Sequence, residues 1–85
     1  MAKKTFTLEE AKAVGDQLKM DSKYDLEWFR FGMDVELEHG TVDPETNVTN
    51  DDFLMTGKIA LAHMKEFADY YQRLDKMEKE AEGKL

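Results

Sequence analysis

Apolar side chains recur at helical steps from near the start of the chain. Leu8, Ala11, Val14, Gly15 and Leu18 fall on one face at three- and four-residue intervals. The run opens on Thr7-Leu8-Glu9-Glu10, a capping box in which Thr7 and Glu10 satisfy each other's backbone amides. The spacing predicts a helix over 8–19, with Phe6 folded back onto its apolar face.

Met20 to Tyr24 reads as a connector. Asp25 is a suitable N-cap for a second helix that runs to His39 and stops at Gly40. Its apolar centre is Leu26, Phe29, Met33 and Leu37, extended by Trp28, Gly32 and Val35. Arg30, Asp34, Glu27 and Glu38 take the opposite, wet side. The segment GTVDPETNVTN over 40–50 is rich in turn formers and reads as a loop. Asn50 is placed to cap a third helix that starts near Asp51, where Asp51 and Asp52 suit the positive end of its dipole. Helical spacing continues to about Glu80, but the stripe shifts near Phe67–Asp69, which predicts a kink or a break there. The last residues, MEKEAEGKL, carry little to bury and are expected to fray. No strand-like alternation and no repeat occur. The fold class is all-α, a compact bundle of three to four helices in a single domain over 1–85, ordered over about 6–80.

The predicted core comprises Leu8, Val14, Leu18, Leu26, Phe29, Met33, Leu37, Phe53, Ala60, Leu61, Met64, Phe67, Tyr70, Leu74 and Met77. Tyr71 falls on the flank of the last stripe. Trp28, Phe31, Tyr70 and Tyr71 form, as an alternative, an exposed aromatic patch, with Phe31 the best candidate because it lies on the polar side of its helix.

Two positions on each of two helices break the pattern. Glu36 projects between Phe29 and Gly32, and His39 between Gly32 and Trp28, so both point towards the core. On the third helix His63 lies inside the arc of Phe53, Gly57, Ala60, Leu61, Met64 and Phe67, with Glu66 at its edge. Each helix thus carries a Glu/His pair three residues apart, which makes them neighbours on one surface. A buried carboxylate is normally paired, protonated or metal-bound. Three readings follow. Glu36, His39, His63 and Glu66 hold a divalent transition metal, for which Zn, Fe or Mn suits the donors. Or the four pair with each other and cap helix ends. Or they belong to a partner surface. The chain is too short for the two further glutamates of a dinuclear four-helix site.

Composition narrows the classes. The chain has 85 residues, no cysteine and a net charge of −7. A disulfide framework and thiolate chemistry are excluded. The acidic surface repels phosphate backbones, so nucleic-acid binding is not expected, and an acidic DNA mimic is a lesser alternative. The longest aliphatic run, Ile59-Ala60-Leu61-Ala62, is far short of the ~20 residues a membrane span needs. Residues 1–20 hold no signal-peptide-like block, and a cytoplasmic setting is expected. Asp43, Glu45, Asn47, Thr49 and Asp51 alternate like a calcium loop, but Val48 stands where glycine is needed and Leu54 where the bidentate glutamate is needed. Ser22, the only serine, has no histidine near it.

FTLEEAKAVGDQL, VELEHGTVDPETNVTNDD, TGKIALAHMKEF and DYYQRLDKMEKEAE together cover most of 6–82. On these segments, above all VELEHG, NVTNDD and KIALAHM, the chain resembles a group of small helical domains of unknown function in bacterial and phage proteins. The group often has proline where this chain has Ala68, which implies a softer kink here. The resemblance implies a compact helical domain and supplies no activity.

The expected function is a non-enzymatic protein-binding module, acting as a monomer or weak homodimer without a cofactor. The alternative is a metal-binding domain built on the four Glu/His positions.

Overall fold

The computed structural model describes residues 5–83 and contains four α-helices. They are α1 (Leu8–Gln17), α2 (Leu26–Glu36), α3 (Phe53–Glu66) and α4 (Tyr70–Ala81), with a single 3-10 turn, Leu37–His39, extending α2. No strand occurs among the described residues, and no described helix is long and apolar enough to cross a membrane. The all-α bundle is as the periodicity predicts. Residues 1–4, 84 and 85 lie outside the described residues, and with them the very end of the C-terminal run expected to fray.

Each of the first three helices starts where its cap dictates. The Thr7 hydroxyl accepts from the Glu10 amide at 3.0 Å, and Glu10 accepts from the Thr7 amide at 2.9 Å. Asp25 accepts from the Trp28 amide at 3.1 Å. The third cap corrects the sequence reading: Asp52, not Asn50, accepts from the Met55 amide at 2.7 Å and starts α3 at Phe53. Asn50 and Asp51 instead take positive φ angles of 52° and 62° in the turn before it. α1 also ends earlier than expected, because Lys19 enters the left-handed region at φ 55° and the Met20 amide returns to the Gly15 carbonyl.

The α2–α3 connection is tied at its base. The Val48 and Thr49 amides both donate to the His39 carbonyl, at 2.6 and 3.2 Å. Asp51 accepts from the Thr41 amide at 2.9 Å and from its hydroxyl at 2.6 Å. Asp43 and Asn47 likewise accept from the Glu45 and Asn50 amides. The side-chain oxygens of Asp43, Asn47 and Asp51, three of the residues that alternate like calcium ligands, are thus employed in shaping the turn.

The buried core joins Phe6, Ala11, Val14, Phe29, Met33, Leu37, Ala60, Met64 and Tyr71. Glycines set the closest approaches. A Cβ at Gly57 on α3 would overlap Val14 Cγ1 on α1, and one at Gly32 on α2 would overlap the Tyr71 ring on α4. Four predicted core residues are exposed, namely Leu8, Phe53, Phe67 and Met77, and Leu18, Leu26, Leu61, Tyr70 and Leu74 are half-buried against the core. Phe6 occupies the place expected of Leu8 and meets the Phe53 ring edge-on at 4.8 Å, at the mouth of the core. Phe67 caps α3 in an extended conformation, which ends the helix at the predicted break and turns the ring outward against Tyr70. Met77 lies on the second half of α4, which has no neighbour among the described residues to bury it. That half is nonetheless helical to Ala81, where fraying is expected from the sequence.

Candidate functional site

The four Glu/His positions come together, but around one residue rather than as equals. Glu36 is the last residue of α2 and is 4% exposed. The Tyr71 hydroxyl donates to its Oε2 at 2.8 Å. His63 Nε2 on α3 stands 3.7 Å from the same oxygen, and His39 Nε2 stands 3.9 Å from Oε1. On its other side His63 Nδ1 is 3.3 Å from Glu66 Oε1. The imidazole of His63 is stacked on Tyr70, with ring centroids 4.3 Å apart and planes 9° apart.

Local sequence explains the placement. Gly32 precedes Glu36 by one helical turn, and its lack of a side chain opens the slot into which the Tyr71 ring fits. The turn at Phe67–Asp69 then brings α4 across α2 and α3, so that successive tyrosines face different partners. Tyr70 covers His63, and Tyr71 reaches Glu36.

Two of the four positions depart from the sequence reading. His39 is half exposed, because the 3-10 turn rotates it off the buried face of α2. Glu66 is exposed at the end of α3. Glu36 is buried as expected, and His63 is partly covered. Tyr71, placed on the flank by its spacing, is fully buried and is the residue the sequence reading missed. The available signal was Gly32 beside Glu36, a gap next to a carboxylate that has to be filled. The proposed aromatic patch is also corrected. Tyr71 is inside, while Trp28, Phe31 and Tyr70 are half-buried and packed against the core. Trp28 and Phe31 still line a shallow groove of about 170 Å³ with Glu27 and Arg30.

The chemistry open to this cluster is limited by its bonding. A carboxylate removed from water needs donors, and Tyr71 supplies one from the interior. The histidines approach different oxygens of Glu36, and no group of three or more His, Asp or Glu side chains among the described residues is arranged to hold a metal ion. The geometry thus joins α2, α3 and α4 through one buried acid.

Burial pushes the Tyr71 hydroxyl far above the ordinary phenol range, with the hydrogen bond to Glu36 and the nearby carboxylate charge acting in the same direction. The sign of the pH dependence follows. The folded state holds the Tyr71 proton more tightly than the unfolded state, so its stabilising contribution is complete below about pH 10 and falls as pH rises beyond that. Between pH 10 and 11 the wild type is expected to lose about 1 kcal/mol more than Tyr71→Phe, since the unfolded phenol is already half ionised at pH 10. Parallel denaturant titrations across this range check the difference, and equal slopes would contradict it.

Residues 11–80 match the family described as "Protein of unknown function (DUF5661)". No curated protein and no solved structure matches the chain.

Proposed function

We propose that this chain, which belongs to the DUF5661 family, is a non-enzymatic interaction module that works through its surface. The observation that carries this reading is the state of α4. That helix buries only Tyr71, while Met77 is 55% exposed and Phe67, just before it, is 48% exposed. A large apolar side chain left in water on α4, and a second just before that helix, support an association surface there. The acidic cluster around Glu36 supports the same reading from the other direction, since its carboxylate is turned inward and bonded to Tyr71.

A photoreactive residue placed at Met77, and separately at Lys12 on the outer side of α1, tests this in cells. Adducts at Met77 and not at Lys12 are expected. No adduct at either position would overturn the reading.

A thermal melt separates this reading from the metal one. Chelator-treated protein is expected to melt at an unchanged temperature when Zn²⁺, Mn²⁺ or Fe²⁺ is added, because the two imidazoles address different oxygens of Glu36. Binding at a hundred times the dissociation constant would add about 2.7 kcal/mol, several degrees in a domain this small. A shift of that size, lost in His39→Ala and His63→Ala, would replace the interaction reading with a metal site at Glu36.

A further inference from the structure

Along α4, Tyr70, Leu74, Met77 and Ala81 follow one another at steps of four, three and four residues. This is the a/d spacing of a coiled-coil seam. The bundle uses only the start of the seam. Tyr70 and Leu74 are half-buried against the core, whereas Met77 and Ala81 are exposed. From Lys76 to Gly83 every residue is exposed, so the second half of the helix stands clear of the rest of the described bundle. Isolated helices this short are marginal in water. An overhang of this kind gains from a partner.

The sequence of α4 says which partner fits. We infer that α4 pairs antiparallel with α4 of a second copy of this chain, an inference that rests on the interaction reading above. In that register Leu74 lies opposite Met77 of the second copy, and Tyr70 lies opposite Ala81, a large side chain against a small one. The residues flanking the seam complement each other as well. Arg73, whose side chain is 71% exposed, comes opposite the exposed Glu80 of the second copy. A two-fold axis repeats every one of these pairs, as an isologous interface requires. The exposed Met77 and Ala81 of each copy thereby cover the half-buried Tyr70 and Leu74 of the other. Arg73 already reaches Asp69 one turn back at 2.9 Å, an exposed pair of small worth that can be exchanged. The seam is short and lies at the small end of specific interfaces, which makes a weak, concentration-dependent dimer.

Sedimentation equilibrium of the full chain, over roughly a hundredfold range of concentration, reads the dimer directly. The average mass is expected to rise towards twice that of the chain. Arg73→Glu and Glu80→Arg each place like charges across the two-fold and should each weaken the dimer by about tenfold or more. Mixed with one another, the two variants carry opposite charges at both contacts and should form a heterodimer tighter than either variant alone. Met77→Lys should give single chains. Unchanged helix content by circular dichroism shows that each variant is folded, since the altered side chains are exposed. A wild type that remains a single chain at every concentration overturns the inference, as does a dimer indifferent to all of these substitutions. If a single-chain wild type still yields an adduct with a different protein at position 77, only the second copy is wrong. If no adduct forms there or at Lys12, the interaction reading fails with it.

Discussion

Tyr71→Ala is expected to destabilise the domain by about 3–5 kcal/mol, the range for truncating a fully buried aromatic. The ring is inaccessible to solvent, fills the slot over Gly32 and is the only buried residue of α4. Removing it opens a cavity, strips Glu36 of its donor and cuts the main tie between α4 and the bundle. Native stabilities lie at about 5–15 kcal/mol, so a loss of this size brings the domain close to unfolding at ordinary temperature. Denaturant unfolding measures the total. Amide exchange locates it, with α4 expected to lose protection first. Tyr71→Phe separates the two contributions. It keeps the packing and leaves the buried carboxylate without its partner, for an expected loss of about 1–3 kcal/mol. A Tyr71→Ala protein as stable as the wild type would remove Tyr71 from its place as the anchor of α4.

Gly57→Ala has the second largest expected effect, and here two forces oppose each other. Alanine is the better helix former by about 1 kcal/mol. Its Cβ, however, would overlap Val14 Cγ1, at a point where α1, α2 and α3 meet around Phe29. Val14 is buried and β-branched, with little rotamer freedom to move aside. The overlap therefore prevails, and a net loss of about 1–3 kcal/mol is expected from overpacking. Gly15→Ala serves as the control. Its Cβ would meet the Met20 Cε at 3.2 Å, the far end of a flexible side chain, and the substitution is expected to be neutral or slightly stabilising. If the two melt at the same temperature, the close α1–α3 approach does not govern stability.

The contrast between these glycines shows what a one-dimensional pattern conveys. Caps and periodicity are local, so the Thr7 capping box, the Asp25 cap and the break after Glu66 could all be read from the chain. So could the anomaly of a carboxylate on an apolar face, because Glu36 violates the spacing of its own helix. What lay beyond reach was the element that answers the anomaly. Tyr71 follows Tyr70 directly, and which of the two faces inward depends on the turn between α3 and α4, whose geometry no periodicity records. Met77 was misplaced for a related reason. A wheel shows that a face is apolar but not whether the bundle extends far enough to cover it. Asn50 and Asp52 are equally good caps in isolation, and the choice between them was made by the positive φ angles of Asn50 and Asp51.

The tied base of the α2–α3 connection has a consequence for engineering the protein. Thr41 and Asp51 are joined across ten residues, and the His39 carbonyl is held from the far side by Val48 and Thr49. Between these ties, residues 42–47 are exposed throughout. Lengthening such a segment adds little closure entropy, about 0.6 kcal/mol for each doubling. An epitope or a fluorescent reporter spliced in at Pro44–Glu45 therefore leaves both ties and all four helices in place, and offers a labelling point on a face well separated in sequence from α4.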